Sequence, residues 1–175
     1  AYIIPSLIPT ETDILMSGGI GGNCLFEMEF YEKSNSQCQV YCWDHTIETI
    51  FQNKPNCSPP KEFVHFKQGW GADDPNLIPI TGALNKISVN KSDKIFIKCD
   101  IEGHEFRCGF NEFNFHNVIG FAVECHGMLF PLPQIKIDCF KNIGKHFSCV
   151  HVHGNNIGPL MVHKDPLSGD SDLSI

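Results

Sequence analysis

The sequence predicts an α/β domain of the doubly wound type: a mostly parallel sheet of about seven strands with helices on both faces. Three observations carry this prediction. Apolar runs of strand length alternate with helical stretches, which is the rhythm of βα units. A glycine cluster, Ser17-Gly18-Gly19-Ile20-Gly21-Gly22, separates the first strand from the first long helix. The later apolar runs end on polar or glycine-containing turns.

In chain order, residues 14–17 form a short strand ending in the glycine cluster, and residues 24–33 a helix whose Phe26 and Phe30 share one face. Residues 39–43 form the second strand, which ends on Asp44. Residues 63–66 form the third, running into Gln68-Gly69-Trp70-Gly71-Ala72. A short helix covers 81–87. The fourth strand, 94–98, ends on Asp100, Glu102 and Glu105, and the fifth, 118–123, on Glu124, Cys125 and His126. A helix over 133–143 closes at Gly144, the residue type best suited to a left-handed C′ position. Strands follow at 147–152 and, on an edge, at 158–163; the Ser, Gly and Asp residues of 165–175 predict a flexible tail. The Pro- and Asn-rich stretch 53–60 reads as a loop within one domain spanning 1–175, because strand-like patterning resumes directly after it.

A length of 175 residues suits a single domain with a proper core, and 42% hydrophobic with 19% charged residues is globular composition. The 13 Lys and Arg against 20 Asp and Glu leave a formal charge of −7 with no basic run, which argues against nucleic acid as a partner. No apolar stretch approaches the ~20 residues of a membrane span, and no basic n-region with an apolar h-region opens the chain. Nine cysteines, an odd number without a CxxC, lie mostly in apolar runs and read as reduced core thiols. The expectation is therefore a soluble, cytoplasmic protein. Because the chain begins at Ala1, an upstream segment removed in processing stays open.

Glycines at a strand-to-helix turn let a ligand approach the backbone, and the helix beyond them presents unpaired N–H groups. Gly18, Gly19, Gly21 and Gly22 fit this role. An acid ending the next strand about 20 residues on suits ribose hydroxyls, and Asp44 lies 44 − 21 = 23 residues after Gly21. The ligand class is then a dinucleotide or S-adenosylmethionine. No G-x-G-x-x-G is readable from Gly19 to Cys24, which disfavours a pyrophosphate. His45 and Thr46 follow Asp44 on the ribose side, and Trp70 is placed either against an adenine ring or as a surface cap. Lys98, Asp100, Glu102 and Glu105 end one strand, Glu124 and His126 the next, and His151, His153, Asn155 and Asn156 a later one. All are candidates for one rim at the carboxyl ends of the strands. The histidines His104, His126, His151 and His153 complete no metal-spacing motif, so no metal is expected.

The stretch Lys98-Cys99-Asp100-Ile101-Glu102-Gly103-His104-Glu105 resembles the lysine-hydrophobic-aspartate-hydrophobic-glutamate-glycine-x-glutamate signature of FkbM-type methyltransferases. The segments 122–126, 40–46 and 151–156 are similar to the strand ends that accompany it, and the order holds from about Asp13 to Asn156. The resemblance implies a class I, Rossmann-like methyltransferase that transfers a methyl group from S-adenosylmethionine to a small-molecule or sugar hydroxyl. It further implies His126 or Glu102 as the base, Asp100 and Glu124 shaping the acceptor pocket, and Lys98 orienting or supporting the rim. Ser17 to Gly21, Asp44, His45 and Trp70 would hold the cofactor; Glu124, His151, His153 and Asn155 would meet the acceptor. One departure stands out. Such enzymes carry an acid two residues before the first glycine of the aligned turn, where this chain has Ser17. That departure raises a catalytically silent relative using the same cleft as the rival reading, with a nicotinamide-dependent oxidoreductase behind it. It also makes S17D the variant whose cofactor affinity reports on the turn.

Overall fold

Ile14, Leu15 and Met16 leave the first strand no polar face, so it has to be covered on both sides. The computed structural model, which describes residues 2–50, 59–72, 74–128 and 131–154 and the backbone of 161–164 and 171–174, does this with two helical layers. In chain order the elements are α1 (Leu7–Glu11), β1 (Ile14–Gly18), α2 (Leu25–Lys33), β2 (Gln39–Trp43), β3 (Val64–Phe66), β4 (Gly69–Trp70), β5 (Leu77–Ile78), α3 (Ile80–Leu84), β6 (Ile95–Cys99), β7 (Val118–Val123), α4 (Gln134–Ile143), β8 (Met161–Lys164) and β9 (Ser171–Ser174).

The main sheet has five strands, all parallel, in the order β3-β2-β1-β6-β7. β1 and β6 lie at its centre and are buried at every position. Side chains alternate with the pleat. Ile14, Met16, Trp43, Ile95 and Ile97 face a core closed by Ile80 and Ala83 of α3 and Cys139 of α4. Leu15, Val40, Cys42 and Phe96 face the opposite one, closed by Phe30 of α2 and Ile8 of α1. The α/β class and the two covered faces thus follow the pattern in the sequence.

The differences lie at the ends of the chain and in one loop. Among the described residues, five strands rather than about seven make up the main sheet. Residues 147–152 form no strand: Phe147 packs edge-on against Phe115 at 5.3 Å, and Val150 and Val152 are 73% and 83% exposed. A β-branched alternation gives strand propensity, but propensity alone does not supply the partner strand that its N–H groups would join. The expected edge strand falls instead at β8, which pairs antiparallel with β9 in a separate two-stranded sheet, so part of the expected tail is strand. Residues 155–160, 165–170 and 175 are outside the described set. Gly144 has φ −66°, in the right-handed region, because the chain continues through turn bonds from Lys145 and His146 to Asn142 and Ile143.

The segment between β6 and β7, which carries no strand or helix, contributes Phe106, Phe110, Phe113 and Phe115 to the core. Its backbone is pinned by Asn142 of α4, whose Nδ2 donates to the carbonyls of Phe110 and Phe113 at 2.8 and 3.0 Å. One cysteine departs from expectation. Cys24 is disulfide-bonded, whereas Cys38, Cys42, Cys99, Cys108, Cys125, Cys139 and Cys149 are free thiols. Disulfides belong to oxidising compartments, so the reduced-thiol argument for a cytoplasmic chain does not extend to every cysteine. Among the described residues no helix is long and apolar enough to cross a membrane.

Candidate functional site

The strand order reverses direction between β1 and β6, and in open parallel sheets a crevice opens there beyond the carboxyl ends of the strands. Here it is a cleft of about 510 Å³, within the range of small-molecule sites. The turn after β1 supplies Gly19 and Gly21, the end of β2 Asp44 to Thr46, β4 Trp70, and the end of β6 Lys98, Asp100, Glu102 and His104. Parallel register brings the next strand end alongside: Asp100 N–H donates to the Gly18 carbonyl at 3.0 Å, and Glu124 N–H to the Cys99 carbonyl at 2.9 Å.

The glycines divide by purpose. A Cβ on Gly18 would stand 2.4 Å from the Trp70 ring, and one on Gly19 only 1.6 Å from the Asp100 carbonyl oxygen. Both are therefore demanded by the protein's own packing. Gly21 also has a positive φ, +54°, yet a Cβ there would meet nothing within 4 Å. It is the glycine that leaves room for a ligand on the cleft side.

Asp44 is 5% exposed, and its carboxylate braces the turn. Oδ2 accepts from Ile20 N–H at 3.1 Å and Gly21 N–H at 2.8 Å, while Oδ1 accepts from the Thr46 N–H at 2.8 Å and its hydroxyl at 2.6 Å. Burial pushes its pKa up, but the bonds from Thr46 and Gly21 outweigh it and hold the carboxyl below its ordinary value. The lower folded value means that this stabilisation is complete above the ordinary aspartate pKa of 3.8 and is lost as pH falls through the folded one. D44N is expected to cost about 2–3 kcal/mol at neutral pH. Thermal unfolding at pH 7 and pH 3 should show a smaller acid-induced loss in D44N than in the wild type; equal losses would refute the brace.

Ser17 is fully buried and turned away from the cleft. Its hydroxyl donates to Glu27 Oε1 of α2 at 2.5 Å, and Glu27 is itself 1% exposed. Burial raises the Glu27 pKa, against the opposing pull of Lys98 and the Ser17 hydroxyl. Lys98, 5% exposed, donates to the Gly19 carbonyl at 2.5 Å and lies 3.7 Å from Asp100 Oδ2. Ser17 is thus committed to a buried polar contact beneath the turn.

At the rim, His126 stands among carboxylates. Its Nδ1 lies 2.9 Å from Glu105 Oε1, and its Nε2 lies 3.5 Å from Glu102 Oε2 and 3.9 Å from Glu124 Oε1. Burial lowers its pKa, but Glu105 above all, with Glu102 and Glu124, raises it overall. Glu105, 1% exposed, also accepts from the N–H groups of Ile101 and Gly103 at 3.2 and 3.0 Å, which fixes the turn carrying Glu102. Lys136 of α4 holds the carbonyls of His126 and Gly127.

Asp44, His45, Trp70, Lys98, Asp100 and Glu102 therefore meet around one cleft, with Glu124 and His126 on the adjoining rim. Trp70 is 1% exposed and lies flat on Gly18, so it is a wall of the core and the cleft rather than a surface cap. His151 and His153 stack on each other at 6.2 Å, are exposed and do not line the cleft. Asn155 and Asn156 lie outside the described residues. Sequence reasoning missed Tyr2, Trp43 and Glu27, and missed that Glu105 orients His126. Tyr2 lines the cleft from the N-terminal segment and meets Phe26 edge-on at 5.2 Å; burial, with Asp100 and Glu124 nearby, holds its hydroxyl far above the usual tyrosine range. Only the place of Glu27 three residues before Phe30, on the buried side of α2, hinted at a buried acid.

These features define an α/β domain with a five-stranded parallel sheet and a cleft at its topological switch point. No protein-family model, curated protein or solved structure matches the chain.

Proposed function

We propose that this domain is an S-adenosylmethionine-dependent methyltransferase of FkbM type, acting on a hydroxyl of a small-molecule or carbohydrate acceptor. The observation that carries the reading is the meeting of the glycine turn, Asp44 and the Lys98 to Glu105 segment around one cleft at the point where the strand order reverses. The residues present fit such a cofactor. Gly21 leaves open space, and the buried Nε1 atoms of Trp43 and Trp70 and Nδ1 of His104 have no hydrogen-bond partner among the described residues. An unpartnered buried donor costs about 1–3 kcal/mol, which a polar ligand in the cleft would relieve.

Bound there, the cofactor supplies an electrophilic methyl group. The chain's own work is to position the acceptor and to take its proton. Asp44 accepts a ribose hydroxyl in place of the Thr46 hydroxyl, the one bond of its four that a side-chain rotation releases. Lys98 locks the turn through the Gly19 carbonyl. Asp100 and Glu124 flank the acceptor, and His126 Nε2, set by Glu105 on the other nitrogen, receives the hydroxyl proton, with Glu102 beside it. The catalytically silent reading keeps one observation in its favour: Ser17 is engaged by Glu27 and contributes nothing to the cleft.

Calorimetry with S-adenosylmethionine, S-adenosylhomocysteine and NAD separates the readings. Binding of the first two without NAD supports the proposal; binding of NAD alone, or of none of the three, refutes it. On an accepted hydroxyl substrate, H126A is expected to lose roughly 10²–10⁴-fold in turnover. Full turnover in both H126A and E102A would remove the base assignment, and cofactor binding without turnover on any acceptor would favour the silent form.

A further inference from the structure

We infer that the rim of the cleft is a binding site for a divalent transition-metal cation, held by Asp100, Glu102 and His126. One carboxylate oxygen from each acid and one imidazole nitrogen all lie within 4.8 Å of one another. Ligands about 2.1 Å from a shared cation stand roughly 3 Å apart when adjacent and a little over 4 Å apart when opposite, so the set closes with side-chain rotations alone. Glu102 supplies that freedom, since its side chain is 86% exposed. Lys98 stands 3.7 Å from Asp100, its short bond going to the Gly19 carbonyl.

A second, independent feature points to a cation rather than to a chance grouping of acids. Glu105 is 1% exposed, and its Oε1 holds His126 Nδ1 at 2.9 Å. That contact fixes the tautomer with the proton on Nδ1 and turns the Nε2 lone pair toward Glu102 and Glu124. A buried carboxylate on the far nitrogen is the usual support of a metal-binding histidine: it orients the ring and raises its basicity. The other oxygen of Glu105 is buried and has no hydrogen-bond partner among the described residues, which commits this side chain to the histidine and its turn. Glu105, Glu102 and Glu124 stand around one imidazole at 2.9, 3.5 and 3.9 Å, which makes the pocket electronegative. One nitrogen with two carboxylate oxygens suits Mn2+ and its neighbours better than Mg2+ or Ca2+, which favour all-oxygen shells. Three protein ligands leave positions open for water or for an oxygen of a molecule in the cleft, because Asp100 and Glu102 also line it.

The inference stands on the rim alone and needs no particular cofactor; His126 Nε2 is a ligand in the metal-loaded chain and a base only in the metal-free one. Mn2+ is the probe, because thiolates compete for it weakly and the chain carries free cysteines. The chelator-stripped 175-residue chain is titrated with MnCl2, following the loss of the free Mn2+ electron paramagnetic resonance signal. One equivalent is expected to bind, weakened roughly 10-fold or more in E102Q and in H126N, and by roughly 10- to 100-fold in E105Q. E102Q alters an exposed side chain and keeps the test valid if E105Q fails to fold. Absence of binding to the wild-type chain, or binding that E102Q and H126N leave unchanged, overturns the site. Neither result bears on calorimetry with S-adenosylhomocysteine, so this inference and the methyltransferase reading fail separately.

Discussion

S17D is expected to unfold the domain under mild conditions rather than to tighten cofactor binding. Ser17 is fully buried, and its hydroxyl already touches the carboxylate of Glu27, which is 1% exposed. An aspartate there would set two carboxylates in contact in a site where burial alone raises the Glu27 pKa. Lys98 is the cation acting on this pair, and it is also bonded to the Gly19 carbonyl. Forcing an uncompensated charge into such a place costs about 3–5 kcal/mol, which for a domain of this size lowers the melting temperature by about 10 °C or more. S17A removes one hydrogen bond and is expected to cost about 1–3 kcal/mol. Thermal and urea unfolding of the two variants measure this difference. Wild-type stability in S17D, accompanied by tighter binding of S-adenosylhomocysteine, would show that position 17 faces the ligand after all.

The second large effect separates two glycines that the sequence presents as equivalents. In G19A the new Cβ would lie 1.6 Å from the Asp100 carbonyl oxygen and 2.6 Å from its carbon, at a φ of +74°. Relief requires parting the ends of β1 and β6, where Asp100 N–H bonds Gly18, so a loss above about 4 kcal/mol is expected. In G21A the φ of +54° costs about 1–2 kcal/mol, and no atom lies within 4 Å of the added Cβ. That variant should stay folded while its methyl group intrudes on the cleft, weakening S-adenosylhomocysteine roughly 10-fold in the proposed function. Unfolding by chemical denaturant ranks the two. Equal stabilities would mean that the turn does not pack against β6 as described.

The central strands were legible because burial on two faces writes itself into composition. Residues 14–16 and 95–97 are apolar without interruption, and only a sheet covered on both sides accepts that. The strand-end acids Asp44, Asp100, Glu102 and Glu124 were equally legible, since parallel strands bring all their carboxyl ends to one side. The strand over 147–152 failed because propensity is local, whereas pairing needs an edge that the sheet offers or withholds. The aromatic segment between β6 and β7 was passed over for the opposite reason: it has core composition but no period, and its backbone is satisfied in part by Asn142, a residue some thirty positions away.

By itself, then, the sequence determined the α/β class, the glycine turn and the acids that end the strands, all of which depend on local pattern and on the pleat. Only the tertiary structure decided what those residues touch. It turned Ser17 toward Glu27, gave Asp44 to the backbone of the turn, made Gly18 and Gly19 packing necessities and Gly21 the open one, and set Glu105 behind His126. Such partnerships join residues 10 to 80 positions apart, and their energies depend on distance and burial in three dimensions, which spacing along the chain does not encode.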